Sequence, residues 1–134
     1  MKISKKKIVL FIVILLILIG LIPGIVYLKD VADYQQAVKE TAFKEIHISD
    51  ISDGVYIGEY DVNFIYAKVE VMVQNGQIKD INILEHRNER GKAAEAITNK
   101  IIEKQKINVD TISGATNSST VIKKAVENAL KSGQ

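Results

Sequence analysis

Hydrophobic positions change their period several times along the chain, and each change predicts an element. From Ile8 to Leu28 there are 21 consecutive uncharged residues, mostly Ile, Leu and Val. As a helix this run reaches about 31 Å at 1.5 Å per residue, enough to cross a bilayer core. A buried helix of a soluble protein normally keeps a polar stripe, and this run has none. A cleaved signal peptide has a shorter apolar region and small residues at an A-x-A-like site, whereas Ile22-Pro23-Gly24-Ile25-Val26-Tyr27-Leu28 runs into Lys29-Asp30. The pattern predicts an uncleaved anchor over residues 8–28, with Tyr27 at one interface and Pro23-Gly24 kinking the last turns.

Residues 29–50 are more polar, and between Asp30 and His47 the residues Val31, Tyr34, Val38 and Ala42 recur every three to four positions, which predicts a helical stalk. The period then falls to two. Ile65, Ala67, Val69, Val71 and Val73 alternate with Tyr66, Lys68, Glu70, Met72 and Gln74, the pattern of a half-buried strand. Asn75-Gly76 follows, a hairpin signal because both central positions of a type I′ turn need positive φ, and Ile78, Ile81 and Ile83 supply the returning strand. Asp53-Gly54 and Gly58 bracket an earlier strand through Val55, Tyr56 and Ile57. Three antiparallel strands with one apolar face require a cover. It comes from a helix between Lys92 and Lys104, with Ala94, Ile97, Ile101 and also Ala93 and Ile102 on one face, and from a second with Val121, Ile122, Ala125, Val126, Ala129 and Leu130. A break over 108–117 separates them, and Ser118 or Ser119 is placed to cap the second. Glu89-Arg90-Gly91-Lys92 reads as a solvated turn and helix start. The expected fold is α+β: an antiparallel sheet covered by two helices over residues 51–134, preceded by one transmembrane helix and a helical stalk.

Composition removes several chemistries. The 134 residues include no cysteine, which excludes disulfide scaffolds, thiolate metal sites, cysteine nucleophiles and cysteine lipid anchors. Net charge is +2, but Lys2, Lys5, Lys6 and Lys7 all precede the apolar run; without them 14 basic residues face 16 acidic ones. That balance leaves no electrostatic footprint for nucleic acid. The leading lysines predict a cytoplasmic tail over residues 1–7 and an extracytoplasmic C-terminal domain in the cell membrane. The two histidines are far apart, and neither belongs to a paired metal-ligand motif.

The stretch from Asp110 to Thr120 carries most of the candidate chemistry, with six hydroxyl side chains in eleven residues just before a helix. Unpaired N–H groups and the positive end of the helix dipole would converge there, and phosphate is the natural ligand. Ser, Thr, Asn and Gly at such a place also serve simply as a turn and cap. A P-loop is excluded because no lysine follows the glycine at the required spacing, and the nucleophile elbow G-x-S-x-G is absent.

Asp110-x-x-Ser113-Gly114-Ala115-Thr116 resembles the D-x-x-S/T-G-A-T signature of the FMN-binding domain family, which includes the C subunit of the sodium-translocating NADH:quinone oxidoreductase and the G subunit of the Rnf complex. The likeness extends from about Ile51 to Leu130. Asp53-Gly54-Val55-Tyr56 matches a D-G-x-Y element, Gly76-Gln77-Ile78 a G-x-I turn, Glu85-His86 an E-H-type element, and Ala125-Val126-Glu127-Asn128-Ala129-Leu130 the closing A-V-x-x-A-L helix. The chain lacks the larger elaborations of the respiratory subunits.

This resemblance implies FMN held covalently through a phosphoester on Thr116, installed outside the cytoplasm by a flavin transferase that takes FAD as donor. Ser113, Gly114, Ala115, Asp110, Ser118 and Ser119 would surround the phosphate, Asp110 by ordering the loop rather than by acid–base work. Tyr56 and His86 would approach the flavin ring; the ordinary alternatives are packing for the tyrosine and a surface or capping position for the histidine. Tyr60 and Tyr66 are further stacking candidates. The implied function is an electron carrier, fed by a membrane quinone or NADH dehydrogenase because no dinucleotide fingerprint is present. The alternatives are a module that binds FMN noncovalently as a sensor or scavenger, and an adhesion or assembly module that binds no flavin.

Overall fold

A computed structural model describes residues 2–87 and 92–134. The chain forms two compact units, Met1–Asp33 and Tyr34–Gln134. The first consists largely of helix α1, which spans Lys5–Glu40 and runs on through Pro23. Every residue from Ile8 to Leu28 is exposed, and the helix is long and apolar enough to cross a membrane.

In the second unit the end of α1 already belongs to a core: Val38 is buried, and Tyr34 and Ala37 pack against the same cluster. The expected stalk helix therefore ends earlier than His47, at Glu40. Thr41 follows, and its hydroxyl donates back to the Ala37 carbonyl (2.7 Å) and bonds the Tyr60 hydroxyl (3.1 Å), giving the departing backbone other partners. Residues 41–47 are irregular, and a short 3-10 turn, Ile48–Asp50, leads into the sheet.

Strands β1 (Gly54–Asp61), β2 (Tyr66–Gln74) and β3 (Gln77–Arg87) form an antiparallel sheet in sequence order. Asn75 (φ 53°) and Gly76 (φ 70°) both occupy the left-handed region that the hairpin turn requires. Ala67, Val69, Val71 and Val73 are buried, while Val55, Ile57 and Met72 face outward and are exposed. The three-residue step from Ile78 to Ile81 departs from strict alternation, and the register explains it. β3 carries one unpaired residue between the partners of Met72 and Val73, and another between those of Lys68 and Val69, namely Lys79 and Leu84. These bulges keep Ile78, Ile81, Ile83 and His86 opposite Val73, Val71, Val69 and Ala67, all on the covered face.

Two helices provide the cover: α3 (Thr116–Lys131) lies on β1 and β2, and α2 (Ile97–Lys104) on β3. The helix expected from Lys92 opens instead as a 3-10 segment, Lys92–Ala96. The tighter three-residue turn brings Ala94, Ile97 and Ile101 into the core and leaves Ala93 exposed. The Glu89–Gly91 part of the expected turn lies outside the described residues. Sheet and α3 approach closely at Gly58, where a Cβ would strike the backbone of Ala125 and Ala129. Gly133, just past α3, sits against the Tyr56 ring, so α3 runs opposite to β1.

Candidate functional site

The Asp110–Thr120 loop and helix start are held by α3 itself. The chain turns at Gly114 (φ 79°), around whose Cβ position there is open space, and the Ala115 N–H donates to the Ile112 carbonyl at 2.9 Å. The helix then begins at once. Thr116 is its first residue rather than a loop residue, and the N-cap is Ala115, not Ser118 or Ser119. Both serines lie within the first turn and are buried. Ser119 Oγ accepts the Ile112 N–H at 3.0 Å, and the Ser119 N–H bonds the Ala115 carbonyl at 2.9 Å. The serine expected to cap the helix thus caps the loop that precedes it.

Ala115 has no side-chain acceptor to offer, and the first turn of α3 contains no acidic residue. The leading N–H groups therefore keep their full positive character at a surface where Ser113, Gly114 and Thr116 are all exposed. The Thr116 carbonyl accepts the Thr120 hydroxyl at 3.0 Å. Behind the loop, the Lys123 ammonium donates to Asn108 Oδ1 (3.1 Å) and to the Val109 carbonyl (2.7 Å), and lies 4.6 Å from the centre of the Phe43 ring. Lys123 is buried; desolvation lowers its pKa, and the Asp110 carboxylate opposes that shift. Asp110 itself is exposed.

A family model described as an FMN-binding domain matches residues 64–131. This chain belongs to the FMN-binding domain family. No curated protein and no solved structure matches it. The matched span contains the Glu85-His86 element, the Asp110–Thr116 signature and the closing helix; the Asp53–Tyr56 element precedes it.

Within this FMN-binding domain the residues singled out from the sequence fall into two groups. Asp110, Ser113, Gly114, Ala115, Thr116, Ser118 and Ser119 come together at the start of α3. Tyr56 does not join them: its ring lies against Gly133, about 25 Å along α3 at the helical rise, and its hydroxyl donates to the Ser52 carbonyl at 2.6 Å. His86 pairs with Ala67, which pairs with Tyr60, at the end of the sheet toward which the start of α3 points. Its imidazole is half-buried; burial lowers its pKa below the ordinary 6.5, and Glu95 opposes that. A cavity of about 540 Å³ opens beside it, lined by Asp61, Tyr66, Glu85, His86 and Arg87. Tyr66 is occupied elsewhere: its hydroxyl donates to Glu59 Oε2 at 2.6 Å, a bond that pushes its pKa up to about 12. Tyr60 faces the core, with its hydroxyl on Thr41. A larger cavity, about 710 Å³, lies between residues 43–49, the β2–β3 turn and residues 105–108, and its lining stops at Asn108, short of the loop.

Sequence reading passes over Lys123 and Phe43. The available signal is a lysine four residues after Ser119, hence on the same side of α3, inside a segment whose neighbours Ile122 and Val126 are fully buried.

Proposed function

We propose that this chain is a membrane-anchored, extracytoplasmic electron carrier whose FMN is joined to Thr116 through a phosphoester. One arrangement carries the reading: an exposed threonine as the first residue of an uncapped helix, behind a glycine whose left-handed backbone leaves the approach open. A phosphate there meets the helix N–H groups and the positive end of the dipole, with no first-turn carboxylate to repel it. Bound FMN supplies reversible electron uptake and release.

The residues of the chain do the rest. Thr116 is exposed, as attachment by an external flavin transferase requires. Its oxygen would form the new P–O bond to the FMN phosphorus of FAD, losing its proton as AMP departs. A threonine hydroxyl is a weak nucleophile alone, which accords with a separate, metal-assisted enzyme for this step. Ser113 is exposed beside it for contact with phosphate or transferase, and Ser119 keeps the loop closed from beneath. His86 lies at the same end of the sheet, where burial lowers its pKa and so favours the neutral imidazole, suited to face an uncharged ring. Electrons would arrive from a membrane quinone or NADH dehydrogenase, and the covalent bond would prevent loss of the cofactor outside the cell.

The deciding measurement is the intact mass of the chain produced with and without a flavin transferase. An increment equal to one FMN phosphoester, present only with the transferase, is expected. Yellow protein of unaltered mass that releases FMN on denaturation would replace this reading with noncovalent binding.

A further inference from the structure

Two side chains of α3, one helical turn apart, pin the segment that leads to Thr116. Ser119 holds the Ile112 N–H, and Lys123 holds Asn108 Oδ1 and the Val109 carbonyl. Between these points lie Asp110 and Thr111; beyond them Ser113 and Gly114 project freely before the helix begins. Lys123 is buried, at 4% relative exposure, and its ammonium contacts two oxygens of this segment and the Phe43 ring. Its neighbour Lys124 donates to the Ala42 carbonyl and Glu127, holds no oxygen of this segment, and lies farther from the Phe43 ring, at 5.8 Å.

We propose that Lys123 is a positioning residue for flavin attachment, acting by fixing the path of residues 108–112 so that the loop flanking Thr116 meets the transferase in one conformation. This rests on Thr116 being the flavin-bearing residue. Burying an ammonium is costly unless its N–H groups are satisfied, and here two oxygens of one short segment and an aromatic face satisfy it. The segment cannot move away without stranding the charge. Asp110, exposed on that segment, adds an attraction of the same sense. Arginine has a charge and donors enough to hold the same oxygens, whereas methionine fills the stem's volume and holds neither.

The experiment uses the full chain in detergent with purified flavin transferase and FAD, following in-gel flavin fluorescence over time. Lys123→Met is expected to label about tenfold more slowly than wild type, because a modest misplacement of a reacting group costs that much or more. Lys123→Arg should recover most of the rate, and Lys124→Met should stay within about twofold of wild type. Hydrogen exchange followed by mass spectrometry should show faster exchange in Lys123→Met confined to peptides covering residues 105–115. Wild-type labelling by Lys123→Met overturns the proposal, as does equal slowing by Lys124→Met. Should Lys123→Met fail to fold, Asn108→Ala decides, since Asn108 is exposed: slowed labelling supports the role and an unchanged rate refutes it. If the wild-type chain itself takes no label, the attachment reading fails, and the exchange data alone judge whether Lys123 holds the segment.

Discussion

Ser119 Oγ accepts the backbone N–H of Ile112 at 3.0 Å, from a side chain with no exposed surface. Alanine at 119 leaves that N–H without its acceptor. Ser119→Ala should therefore lose about 1–3 kcal/mol of stability in denaturant unfolding. An unchanged midpoint and slope would mean that water replaces the hydroxyl without cost.

Thr116→Ala should abolish covalent flavin and change stability by no more than about 0.5 kcal/mol, because the side chain is exposed. Thr116→Ser should retain part of the label, since a hydroxyl remains, and Ser113→Ala should weaken it less completely. In-gel fluorescence reads all three. Full labelling of Thr116→Ala, with the flavin mapped to Ser118 or Thr120 by peptide analysis, would move the attachment along the helix.

Gly58 is where the sheet touches α3, and a methyl group there meets the backbone of Ala125 and Ala129. Gly58→Ala should cost at least about 2 kcal/mol, since backbone cannot step aside as a flexible side chain can. Thermal unfolding checks it. A melting temperature equal to wild type would show that α3 can shift on the sheet.

Glu127 is fully buried, with Lys124 Nζ at 2.7 Å, Lys131 Nζ at 3.2 Å and the Lys44 N–H at 3.0 Å. Burial alone would raise its pKa, but these partners outweigh burial and hold it below the ordinary 4.5. A depressed folded pKa contributes stability that is complete above the unfolded value and disappears as pH falls through the folded one. Unfolding free energy should thus drop on acidification below 4.5, and Glu127→Gln should flatten that part of the profile while costing about 3 kcal/mol at neutral pH. Identical acid profiles for the two proteins would remove Glu127 from the pH response.

If the anchor is inserted as Lys2, Lys5, Lys6 and Lys7 direct, protease added to spheroplasts should digest everything beyond Leu28. A C-terminal tag that survives until the membrane is permeabilised would place the domain on the cytoplasmic side.

How far the sequence could be read depended on whether each signal was local. The Asn75-Gly76 turn and the alternation from Ala67 to Val73 are properties of neighbouring residues, and both appear as expected. The signature likewise marked where the candidate site would gather. Other features depend on partners far along the chain. Ser119 looks like a cap until Ile112 is seen beside it, and α1 looks longer until Tyr60 offers Thr41 another bond. The bulges at Lys79 and Leu84 leave a broken period that register alone explains. Tyr56 and Thr116 both carry the resemblance read from the sequence, but only the direction of α3 reveals that they stand at opposite ends of that helix.

The bulges also bear on how the sheet meets other molecules. β3 lays eleven residues alongside nine of β2, and it is an edge strand. The extra contour goes into local twist, and each bulge interrupts the even spacing of donors and acceptors that a foreign strand would have to match. An unbroken β3 would otherwise present a regular row of backbone donors and acceptors to a foreign strand. Interrupted at two places, that edge is a poorer template for pairing than a regular strand of the same length.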